Sequence, residues 1–140
     1  MSFDVLGDVN WLAILVAAIA WFILGALWYG PLFGKAWMAA TGIDPRAAGE
    51  RPGATIYVFP LVAYLVATIA LAMLSEATGS STLGHGIILG LVVGLGFGVT
   101  LYAVETVFGE RPKPGSWFLI SAAYQLIGLV LASVIVTVWD

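Results

Sequence analysis

The run LGHGIILGLVVGLGFGVTLYAVETVF, residues 83–108, decides the fold. Its one acid is Glu105, near the far end, and its one imidazole is His85, near the start. A helix crosses a hydrocarbon core of about 30 Å with about 20 apolar residues, so this stretch is long enough to span a bilayer. Three more windows of the same kind, Trp11 to Tyr29, Thr55 to Leu74 and Trp117 to Trp139, flank it on both sides. The reading is an all-α integral membrane four-helix bundle, with helices near 11–29, 55–74, 83–108 and 117–139 and short loops between them.

Composition agrees. Of 140 residues, 61% are hydrophobic and 9% charged, and the mean hydropathy is +1.05; a soluble domain averages about 25% charged. The first apolar stretch is read as a retained helix, because a secretory signal starts with a basic segment whereas residues 1–10 hold Asp4 and Asp8 and no Lys or Arg. The chain has no cysteine and one histidine, which excludes thiolate chemistry and any zinc site built from His and Cys. No phosphate loop, nucleophile elbow or HExxH motif is present. An enzyme is not expected, nor any cofactor or metal, and without a basic surface neither is a nucleic-acid partner.

Lys and Arg in short loops stay on the cytoplasmic side. Lys35, Arg46 and Arg51 lie between helices 1 and 2, and Arg111 and Lys113 between helices 3 and 4; the other loop and both ends have none. With four spans, both termini are therefore expected outside. Amphipathic rings prefer the interface. Trp11 and Trp139 are read as outer anchors, and Trp28, Tyr29, Trp37 and Trp117 as inner ones. Gly30 and Pro31 should break helix 1, leaving an interfacial segment over 32–40 with Phe33 and Trp37 toward lipid and Lys35 toward water. Asp44-Pro45 suits a helical turn around residues 46–48, Pro60 should bend helix 2, and Ser75 to Gly84 reads as an exposed turn.

Gly86, Gly90, Gly94 and Gly98 recur every four residues, a ridge along which another helix can approach closely. Two uses are open: packing against helix 1 or helix 4 of the same chain, or a seam between copies. Glu105 falls seven positions after Gly98, which at 100° per residue returns it to the glycine face. A carboxylate at such a place is either a proton or cation site or an interfacial partner of Arg111 or Lys113. Gln125, roughly 12 Å inside helix 4 from Trp117 at 1.5 Å per residue, needs hydrogen-bond partners at that depth; Tyr64 and Thr100 are the candidates, with Trp21 in the same layer. The layer is either glue between helices or the floor of a small site. His85 is read as an exposed or capping residue, with pH sensing as the sharper alternative.

The segments Asn10-Trp11, Gly25 to Met38 (GALWYGPLFGKAWM), Phe108 to Arg111 (FGER) and Ala122 to Leu126 (AAYQL) together resemble a family of small bacterial four-span membrane proteins catalogued as a domain of unknown function. The resemblance covers nearly the whole chain and implies a bacterial inner-membrane location and four spans; it carries no activity. Gln125 stands where that family commonly has histidine. Small multidrug exporters also have four helices, but they need a carboxylate in the middle of helix 1, where this chain has none.

Two functions follow as expectations. One is a homo-oligomeric transporter or channel, seamed through the ridge and lined by Glu105 and Gln125. The other is a structural or accessory membrane subunit that binds membrane lipids or a larger complex.

Overall fold

The computed structural model describes residues 1–43 and 53–139. The turn expected around residues 46–48 lies outside them. Four long apolar helices are present: span 1, Trp11–Leu32; span 2, Thr55–Thr78; span 3, Leu83–Phe108; and span 4, Pro114–Val138. A short helix, Gly34–Thr41, follows span 1, and no strand occurs among the described residues. The protein is a membrane-spanning all-α bundle.

Local chemistry sets where each helix begins and ends. Asn10 caps span 1, its side-chain oxygen accepting from the backbone N–H groups of Leu12 and Ala13. Its amide also donates to the Trp139 carbonyl at 2.7 Å, which fastens the two chain ends together at one end of the bundle. Pro114 opens span 4, where its missing N–H removes no helical bond. Span 2 runs past the expected stop at Leu74 because its small polar residues find partners: the exposed Thr78 hydroxyl donates to the Leu74 carbonyl of its own helix, and the buried Ser75 and Thr137 hydroxyls meet at 3.0 Å between spans 2 and 4. Gly79, at φ 64°, then turns the chain in the left-handed conformation that glycine tolerates best. Span 2 continues as one helix through Pro60.

Span 1 does not stop at Gly30-Pro31. The helix widens over Trp28–Leu32, and the Phe33 N–H reaches the Trp28 carbonyl five residues back at 2.8 Å. A turn with i→i+5 bonding accommodates the proline that an α-turn would exclude. Span 3 widens in the same way over Gly94–Val99.

Span 4 is the centre of the molecule, in contact with the other three spans and with the short helix. In its most apolar 18-residue stretch 44% is buried, against 11% in that of span 3. The glycine ridge explains how span 3 is held while burying so little. A Cβ at Gly86 would stand 2.8 Å from the Val134 Cα, and one at Gly90 would stand 2.5 Å from the Val130 Cα. The two backbones touch along a four-residue row on each helix, close enough for dispersion contacts to replace side-chain interdigitation. Of the two uses open to the ridge, the one seen is packing within the chain, against span 4.

Candidate functional site

At mid-depth, on the side of span 4 away from the ridge, aromatic side chains from three spans converge. Trp21 of span 1 is fully buried and stacks on Tyr64 of span 2, with centroids 4.6 Å apart and planes 16° from parallel. It sits over Gly128, where any Cβ would collide with the indole. Tyr124 of span 4 is buried beside it, its hydroxyl 2.7 Å from that of Tyr64 and 3.2 Å from the Trp21 carbonyl. A Cβ at Gly25 would stand 2.6 Å from the Tyr124 hydroxyl oxygen, so only glycine at that position lets the phenol reach the backbone of span 1. Tyr29 meets the Tyr124 ring edge-on at 5.0 Å, in the geometry aromatic quadrupoles favour.

This cluster forms one wall of a groove of about 480 Å³ between spans 1 and 2. Phe22, Tyr29, Tyr64 and Tyr124 give it an aromatic lining, and Gly25 and Pro60 complete the walls. Its rim residues Ala26, Gly30, Ile56 and Tyr57 are exposed, so it opens sideways, on the face that meets the bilayer. Among the described residues, no charged one lines it. A site of this size and polarity suits an uncharged apolar molecule.

Tyr64 and Trp21 thus come together as expected, but around Tyr124 instead of Gln125. The neighbours Tyr124 and Gln125 point about 100° apart; one faces spans 1 and 2, the other the ridge. Gln125 is half-buried against Gly98, where a Cβ would meet its Cγ at 3.4 Å. Thr100 is exposed and donates to the Gly96 and Phe97 carbonyls of its own helix. Tyr124 was legible in principle as a phenol deep in an apolar helix in need of a partner, with Tyr64 at matching depth.

Glu105 does not face the protein. Its side chain is 58% exposed and pairs with Arg111 at 3.0 Å. The expectation projected the glycine face along the helix axis, whereas the contact follows the four-residue row from Gly98 to Tyr102 and Thr106, both half-buried. Each step of four advances about 40° around the helix, so by Thr106 the line has left Glu105 about 100° to the side.

The anchors divide. Trp11 and Trp139 are exposed at the end carrying the termini. At the other end Trp117 is buried, with the Arg111 guanidinium 3.5 Å over its ring and Tyr102 at 5.5 Å, a cation–π stack in place of a lipid anchor. Trp28 is half-buried and donates to the Ile120 carbonyl at 3.0 Å. Trp37 turns back onto Tyr29 at 5.4 Å, while Phe33 stays exposed with its ring 4.6 Å from Trp28. His85 is exposed and its Nδ1 accepts from the Ser81 N–H at 3.4 Å.

The arrangement of four apolar spans agrees with the family comparison. The model described as "Protein of unknown function (DUF1761)" matches residues 12–137. The chain belongs to the DUF1761 family. No curated protein and no solved structure matches it. For this DUF1761 protein the match therefore establishes kinship over nearly the whole bundle, and the chemistry rests on the residues just described.

Proposed function

We propose that the protein is an accessory membrane subunit that holds a lipid-soluble molecule or a larger complex within the bilayer and does not conduct solutes through its own bundle. The supporting observation is the filled middle: among the described residues Trp21 is fully buried among spans 1, 2 and 4, and the ridge residues Gly86, Gly90, Gly94 and Gly98 lie against span 4, so the glycine seam is already occupied. Its place is the bacterial cytoplasmic membrane, with both termini on the extracytoplasmic side. What supports that orientation is the clustering of positive charge at one end. There the Lys113 N–H reaches the Ala40 carbonyl at 3.4 Å and joins the loop holding Arg111 to the helix holding Lys35.

Proteoliposomes with an entrapped pH-sensitive dye, under imposed proton and potassium gradients, should leak no faster than empty vesicles. Flux above that background, abolished by Glu105→Gln or Gln125→Ala, would overturn the accessory role. Because the chain lacks cysteine, single cysteines at Ser2 and Lys113 can be labelled with an impermeant maleimide in whole cells; only the first should react.

A homo-oligomeric transporter or channel is the second reading. It is favoured by the uncovered surface of span 3, where Phe97, Leu101 and Val104 are exposed and a second copy has room to pack. A closed oligomer in detergent together with gradient-driven flux would select it.

A further inference from the structure

We propose that the groove between spans 1 and 2 is a binding site for a neutral, lipid-soluble ring compound bearing a carbonyl acceptor, of the quinone class. The hydrogen count of the phenol pair points to an acceptor. Tyr124 has one hydroxyl hydrogen and two neighbouring oxygens, Tyr64 at 2.7 Å and the Trp21 carbonyl at 3.2 Å; the shorter contact takes it. The Tyr64 hydrogen then has no acceptor among the described residues, and Tyr64 lines the groove. A donor in an apolar, bilayer-facing recess is costly to leave unmatched.

Depth separates this ligand from a phospholipid. Tyr64 lies nine residues into span 2, roughly 13 Å along the helix from Thr55 at 1.5 Å per residue. Phospholipid ester carbonyls stay in the interfacial layer outside the hydrocarbon core, so at this depth an acyl chain offers only methylenes. A ring-bearing lipophile carries its carbonyl down with it. The lining matches: Tyr64 is braced from behind by Trp21 and Tyr124 stands edge-on to Tyr29, which presents ring faces and edges to a planar guest. At about 480 Å³ the groove is within the range of small-ligand pockets. The widened turn over Trp28–Leu32 places Gly30, with nothing within 4 Å of where its Cβ would be, at the mouth.

Holding such a ligand rests on the accessory role proposed above, but the two fail separately: solute flux overturns that role, and binding alone decides the site. The test is equilibrium binding of a decyl-tailed benzoquinone to the purified full-length chain in detergent. Saturable one-to-one binding is expected, weakened roughly tenfold by Tyr64→Phe, which keeps the ring and removes one hydrogen bond. Ala26→Phe, at an exposed rim position, should fill the groove and abolish binding while the melting temperature stays near that of the parent. Should that variant fail to fold, Tyr64→Phe decides alone. The site is overturned if binding is not saturable, if Tyr64→Phe binds as tightly as the parent, or if phosphatidylglycerol displaces the quinone mole for mole.

Discussion

Glycine shapes two regions of this bundle to opposite ends. Between spans 3 and 4, Gly86, Gly90 and Gly94 each face the main chain or a packed leucine of span 4, and the missing side chains let two helices close on each other. Between spans 1 and 2, Gly25 faces a phenol hydroxyl and Gly30 faces nothing, and the missing side chains leave a groove. The difference lies in what stands opposite. A glycine against backbone makes a seam; a glycine against the tip of an aromatic ring seats a polar atom and keeps the space beside it open.

That contrast breaks most visibly at the ridge. Gly90→Leu would drive a side chain into the Val130 backbone, and an unfolding titration should show a loss of about 3 kcal/mol or more, the upper range for overpacking. The matched control is Gly96→Leu, on the exposed face with nothing within 4 Å, which should stay within about 0.5 kcal/mol. Equal losses for the two would mean that the seam is not where span 3 is held.

Gly128→Ala comes next, at about 2 kcal/mol, because its methyl meets the buried indole of Trp21. Since a smaller ring relieves the collision, Trp21→Phe in the same chain should recover part of the loss in a double-mutant cycle; strict additivity would show that the two do not touch. Gly25→Ala should cost about 1 kcal/mol, as it displaces the tip of a side chain and weakens one hydrogen bond. It should also weaken benzoquinone binding, which the ridge control Gly96→Leu should leave unchanged.

The smallest effect belongs to Glu105→Gln. An ion pair with one partner more than half exposed contributes little, so stability should change by less than about 0.5 kcal/mol. A large loss would indicate that Glu105 is buried in a contact between copies, which would sharpen the case for an oligomer.

The four spans were legible because bilayer thickness fixes a length and a composition that local sequence either meets or does not. The ridge was legible for the same reason, as a four-residue spacing. Gln125 and Glu105 were harder to place because a helical wheel treats a face as parallel to the axis. Real contacts run along an inclined row and shift from one neighbour to the next within a turn. Tyr124 and Gln125 are adjacent in sequence and serve different interfaces, a distinction that depends on where spans 1, 2 and 3 stand around span 4.

By itself the sequence determined that this chain is an all-α membrane protein of four helices, with its positive charge gathered in alternate loops, because hydropathy and charge act residue by residue against a bilayer of fixed thickness. Only the tertiary structure decided which helix fills the glycine ridge, that Trp21, Tyr64 and Tyr124 meet, and that a groove remains beside them. Those outcomes depend on the relative rotation of helices, which dispersion contacts and a few hydrogen bonds between distant residues fix together.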